Sequence, residues 1–190
     1  GLPSLARAFG ASFQQVQWVV LAYLLAITTL VVSVGRLGDL LGRRRLLLAG
    51  MAVFTLASVL CAMAPSLALL VAARALQGLG AATMMALGMA LVGECVPKER
   101  TGSAMGLLGT MSAVGTALGP SLGGLLLAAA GWRALFAALV PLGGVAMLMA
   151  WRYVPDSPAA ARPRQPGFDR LGTLLLTLTL ACYALAVTPS

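Results

Sequence analysis

The chain has 190 residues, 60% of them hydrophobic and only 9% charged, with a formal net charge of +8 and a mean hydropathy of +0.96. Soluble chains carry about a quarter charged residues, and a chain of this length could not hide so much apolar surface in one core, so the soluble globular class is excluded and lipid is the expected solvent. The basic residues sit in short clusters between apolar runs rather than along one face, which makes the positive charge a matter of membrane topology and not of nucleic-acid binding.

Residues 1–15 read as the outer end of an earlier helix and an external loop. The chain opens on Gly1-Leu2-Pro3, without an initiator methionine or a basic-then-apolar leader, so something upstream is expected. Beyond them, six runs approach the ~20 apolar residues that carry a helix across ~30 Å of hydrocarbon. They extend over about Val16 to Ser33, Leu46 to Met63, Leu67 to Val92, Ser103 to Ala129, Ala134 to Ala150 and Leu171 to Val187. The runs are continuous rather than alternating, which predicts helices and not a barrel.

After the first run, Gly35-Arg36-Leu37-Gly38-Asp39-Leu40-Leu41-Gly42-Arg43-Arg44-Arg45 sets one carboxylate among four guanidiniums, with glycines that permit a tight turn. Ion pairs there would hold a closed state and break in another, although positive anchoring alone would also account for the arginines. The second run ends at the turn Ala64-Pro65-Ser66. In the third, Arg74 lies ~12 Å along the helix from Ser66, too deep for easy snorkelling. A charge at that depth costs at least ~2.5 kcal/mol, so Arg74 should meet a polar cavity or a partner, with Gln77 and Gly78 on the same face. An arginine that only holds the bundle together is the plainer reading.

Lys98 and Arg100 precede the fourth run, which carries Gly102, Gly106, Gly109, Gly115, Gly119, Pro120, Gly123 and Gly124. Glycines four apart allow close helix contact, and Pro120 removes a hydrogen bond and should bend the axis. A turn at Ala130-Gly131-Trp132-Arg133 leads to the fifth run, completing a bundle over residues 16–154. Residues 155–168, rich in Pro, Ala and Arg, read as a cytoplasmic linker, and residues 169–190 as a further span. Positive residues stay in the cytoplasm, so the arginine-rich linkers belong inside and Arg7 and Arg133 outside. Trp18, Trp132 and Trp151 fall near the expected water boundaries, and Met84, Met85, Met89 and Met111 read as core filling. Without histidine, paired carboxylates or paired cysteines, neither an enzyme, a metal site nor a cofactor is expected.

These motifs together resemble the major facilitator superfamily. Gly35 to Arg44 is similar to its loop between helices two and three, Arg74 with Gln77 and Gly78 to its fourth-helix motif, and Gly115, Gly119, Pro120, Gly123 and Gly124 to the fifth-helix signature of its antiporters. Gln17-Trp18-Val19-Val20, Ala22-Tyr23-Leu24-Leu25, Gly131-Trp132-Arg133 with Phe136 and Pro141, and Phe168-Asp169-Arg170-Leu171-Gly172 resemble the fourteen-helix drug:proton antiporter branch, although Leu139 stands where that branch usually has asparagine.

The resemblance implies an all-α, multi-pass protein of the bacterial inner membrane. The chain would carry helices two to seven of a larger protein and lack the first helix and the C-terminal half. It implies alternating access, proton-coupled export of small amphipathic molecules by a monomer, coupling at Arg74 and Gln77, and a latch of Gly35, Gly38, Asp39, Gly42, Arg43 and Arg44. The five acids, Asp39, Glu94, Glu99, Asp156 and Asp169, all map to linkers or edges, and the family's first-helix aspartate would lie upstream of Gly1. An importer of a small polar solute and a non-transporting membrane scaffold are the alternatives.

Overall fold

The computed structural model describes residues 2–155, and these are helical almost throughout, with no strand among them. Six helices follow in order: α1 (Leu2–Phe9), α2 (Phe13–Leu41), α3 (Arg43–Met63), α4 (Leu67–Cys95), α5 (Lys98–Ala137) and α6 (Leu139–Tyr153). The sixth predicted run, most of the linker at 155–168 and the stretch Phe168 to Gly172 lie outside the described residues.

The helix boundaries follow from local chemistry. Ser12 and Gln15 close a capping box at the start of α2, the Ser12 hydroxyl accepting from the Gln15 N–H at 3.2 Å and Gln15 Oε1 from the Ser12 N–H at 3.0 Å. Ser66 accepts from the N–H of Leu69 and starts α4 just after Pro65. The glycine-rich linker expected after the first run is itself helical as far as Leu41. Its turn is the single residue Gly42, whose φ of +91° few residues with a Cβ would adopt.

At 40 residues, α5 would measure ~60 Å if straight, twice the hydrocarbon thickness. Its backbone breaks at Gly131 (φ +77°, ψ 180°), where the chain reverses far enough for Leu135 to lie 3.8 Å from the Cβ position of Gly123. The fourth and fifth predicted runs therefore fall on opposite sides of this break. The second pass is notched at Ala138 because Pro141 has no N–H to return to the Ala137 carbonyl. Pro120 leaves the surrounding dihedrals helical. Helical stretches long and apolar enough to cross a membrane are Phe13–Val31, Arg43–Met63, Leu67–Cys95 and Lys98–Tyr153, the last divided at Gly131.

Central in the bundle is α4, packed against both α2 and α3. A Cβ on Gly78 would stand 2.6 Å from the Tyr23 carbonyl oxygen, and one on Gly80 would stand 2.6 Å from the Phe54 nitrogen and 2.7 Å from the Gly50 oxygen. Both crossings thus bring backbone to backbone, which only small residues permit. Apolar clusters close the two ends. One joins Leu5, Val16, Val19, Cys61, Leu70 and Trp132, and the other joins Val34, Leu47, Met51, Leu87 and Leu91 at the arginine-rich end.

Two expectations change. Trp132 is no boundary anchor but is buried, 5.3 Å from the Phe9 ring and 6.3 Å from that of Phe136. Met84 packs on the arginine-end cluster, whereas Met85, Met89 and Met111 are exposed and fill no core.

Candidate functional site

Arg74 stands two turns into α4, and its head group is met by four neutral partners. Nε donates to the carbonyl of Val19 at 3.2 Å, and Nη1 donates to Oε1 of Gln77. The guanidinium carbon lies 4.0 Å from the centroid of the Tyr23 ring and 5.8 Å from that of Phe136. Val19 and Tyr23 are four residues apart and so share one face of α2, while Arg74 and Gln77 share one face of α4. Phe136 comes from the pass that follows Gly131.

Gln77 is fully buried and continues the chain of bonds. Its Nε2 donates to Ser58 Oγ at 2.7 Å, and the Ser58 hydroxyl, also fully buried, donates to the Phe54 carbonyl at 2.8 Å. Charge-assisted hydrogen bonds contribute ~1.5 to 3 kcal/mol each and a desolvated cation–π contact up to ~2 kcal/mol. Together they offset the ~2.5 to 3.5 kcal/mol that places a charge at membrane depth. Among the described residues no carboxylate takes part, because Asp39, Glu94 and Glu99 all lie at the arginine-rich end.

At that end Arg43 joins three elements. It donates from Nε and Nη2 to Asp39 Oδ1 at 3.1 and 2.7 Å, and from Nη1 to the Ala90 carbonyl at 3.2 Å, with Glu94 Oε1 3.1 Å away. The turn at Gly42 carries the chain from the end of α2 into α3, where Arg43 reaches back to Asp39, and a side chain on Gly38 would strike Leu87. Arg44 donates to the Trp151 carbonyl at 2.6 Å, tying α3 to the end of α6. Gly35 has open space beside it. At the opposite end Arg133 donates to the Ala64 carbonyl at 3.1 Å, with its guanidinium 4.5 Å from the Trp132 ring.

Arg74 and Gln77 are therefore in direct contact, as are Asp39 and Arg43, while the fifth-helix glycines remain apart from both groups. Nothing among the described residues lies within 4 Å of a Cβ placed on Gly115, Gly119 or Gly124, and Gly123 meets only Leu135. Sequence reasoning missed Ser58 and left Glu94 as a mere edge acid. It placed Tyr23 and Phe136 in signatures without giving them a role. The aromatic residues carried a usable signal, since a buried cation needs a π face or an acceptor. Ser58 carried none, being one small residue on an apolar helix.

Residues 1–188 match the family model described as Major Facilitator Superfamily. The chain is 37% identical over 187 residues to the multidrug resistance protein Stp of Mycobacterium tuberculosis, covering 98% of this chain and 34% of that protein. It is 33% identical over 185 residues to the riboflavin transporter RibZ of Clostridioides difficile, covering 97% and 40%. A probable actinorhodin transporter of Streptomyces coelicolor is 37% identical over 189 residues, covering 96% and 32%. The chain thus spans about a third to two fifths of the length of these relatives.

Proposed function

This chain belongs to the major facilitator superfamily of membrane transporters, and we propose that it forms the N-terminal helical bundle of a proton-coupled exporter of drugs or other small amphipathic molecules. The transporter works as a monomer in the bacterial inner membrane, with the arginine-rich end of this bundle in the cytoplasm. The observation that carries the proposal is Arg74, a cation held at membrane depth by a carbonyl, a carboxamide and two aromatic faces. A charge without a fixed counter-ion among the described residues responds strongly to a proton or substrate charge arriving nearby, since interactions there are little screened.

In this reading Arg74 and Gln77 couple proton movement to substrate movement. Asp39 and Arg43, with Gly35, Gly38, Gly42 and Arg44 shaping the same corner, hold the cytoplasmic side shut. Gly115, Gly119, Pro120, Gly123 and Gly124 present a low-relief surface for close packing with the remainder of the transporter, and the bundles rock about the central site. Relatives named as multidrug resistance and actinorhodin transporters support an amphipathic cargo. The relative named as a riboflavin transporter favours a second reading, in which the cargo is a polar heterocycle.

Transport by the complete protein in proteoliposomes tests the proposal. An imposed proton gradient should drive dye or drug movement. Arg74→Ala should slow it more than about tenfold, the loss of one charge-assisted bond or more, while Arg7→Ala leaves it unchanged. No movement in the wild type under any gradient would refute the antiporter.

A further inference from the structure

The donor chain beneath Arg74 has a direction fixed at both ends, by a guanidinium that can only donate and by the Phe54 carbonyl that can only accept. The Ser58 hydroxyl owns one proton, and that proton is committed to the Phe54 carbonyl, which can only accept. Ser58 Oγ therefore faces Gln77 as an acceptor, and the carboxamide must turn its NH2 side toward it. That choice leaves Oε1 of Gln77, rather than its nitrogen, toward the guanidinium of Arg74. A carboxamide flipped by half a turn would set N–H against N–H at Arg74 and Oε1 against the lone pairs of Ser58 Oγ, at a site where Gln77 and Ser58 are fully buried.

From this arrangement we propose that Ser58, on α3, is a positioning residue for the coupling site: it orients the Gln77 carboxamide and through it holds the Arg74 guanidinium against α2. The proposal rests on the reading of Arg74 as the coupling residue. Without the hydroxyl, the NH2 of Gln77 loses its acceptor in a buried site, the carboxamide is held from the Arg74 side alone, and the contact between Gln77 Oε1 and Arg74 loosens. The other holds on Arg74 come from α2, through Val19 and Tyr23, and from Phe136, so Ser58 supplies the hydrogen bond by which α3 is tied to the site. A shift of α3 against α4 would be felt at Arg74 through this bond.

The test uses the complete transporter labelled with 15N-glutamine, in which Gln77→Met identifies the Gln77 carboxamide signals, and follows their exchange with water. In wild type and in Ser58→Thr, which keeps the hydroxyl, the carboxamide protons should exchange slowly. In Ser58→Ala they should exchange at least about tenfold faster, and gradient-driven transport should fall about two- to tenfold, the equivalent of one net hydrogen bond. Ser58→Ala should add no further loss to Gln77→Met, because the hydroxyl acts only through the carboxamide. Unchanged exchange in Ser58→Ala, or transport losses that multiply in the double variant, would overturn the positioning role. Should the wild type carry nothing along a proton gradient, the exporter reading falls by itself, and carboxamide exchange alone still decides the role of Ser58.

Discussion

A guanidinium placed two turns inside an apolar helix must be met by acceptors or π faces, and at Arg74 both kinds are present. The depth of Arg74 was legible because the penalty for an uncompensated charge is large and local. Its surroundings were less so. Gln77 could be read from its place three residues on, whereas the Val19 carbonyl and Ser58 come from other helices, and no spacing within α2 or α3 marks which face turns to α4. Tyr23 offers a test of the aromatic contact. Tyr23→Phe keeps a ring under the guanidinium and should leave thermal stability and transport near wild type, while Tyr23→Leu should lower stability by ~0.5 to 2 kcal/mol, measured as the midpoint of thermal unfolding in detergent. Equal behaviour of the two variants would show that the ring only fills space.

Helices in this bundle owe their positions to glycines at two crossings. Gly78 admits the backbone of α2 and Gly80 that of α3, with the nearest atoms belonging to main chain that cannot swing away. Gly78→Ala should therefore cost ~1 to 3 kcal/mol as an overpacked contact, whereas Gly88→Ala, with nothing within 4 Å of the new methyl, should be neutral or slightly stabilising. Thermal melts of the two variants, compared side by side, check this. A separate strain is expected at Gly131, where φ is +77°: Gly131→Ala should destabilise by ~1 kcal/mol or more even though no atom lies near.

The apolar runs and the turns at Pro65 and Gly131 made α3, α4 and the two passes divided at Gly131 readable, whereas the extension of α2 to Leu41 and the notch at Ala138 were not. Which face each helix turns to lipid was not readable either. In a bilayer the inside and the outside of a bundle are equally apolar, so Met85 and Met89 look in sequence like Met84, and Trp132, in a turn, looks like an interfacial ring when it is in fact enclosed by Phe9 and Phe136.

Across the whole molecule, the two charged constellations sit far apart along the same helices: Arg74 with Gln77 toward the Arg133 end of α4, and Arg43 with Asp39 and Glu94 at its other end. Because α4 carries members of both, a rigid displacement of that helix would act on them together. Removing the carboxylate in Asp39→Asn should weaken the grip of Arg43 on the end of α2 and shift the complete transporter toward the state open to the cytoplasm. Thiol probes placed along the central cavity should then react faster from that side, and unchanged reactivity would deny the corner its latching role. The long unpacked face of the Gly115 to Gly124 region fits a chain that spans about a third of its relatives' length.

In the proposed exporter, proton and substrate would compete through Arg74, and proton release on substrate binding measures that competition. With the complete transporter in weakly buffered detergent solution, adding a transported dye should acidify the medium in the wild type and in Arg7→Ala, and should leave it unchanged in Arg74→Ala. Substrate binding of undiminished affinity with no proton released by the wild type, or release that persists in Arg74→Ala, would rule out coupling at Arg74.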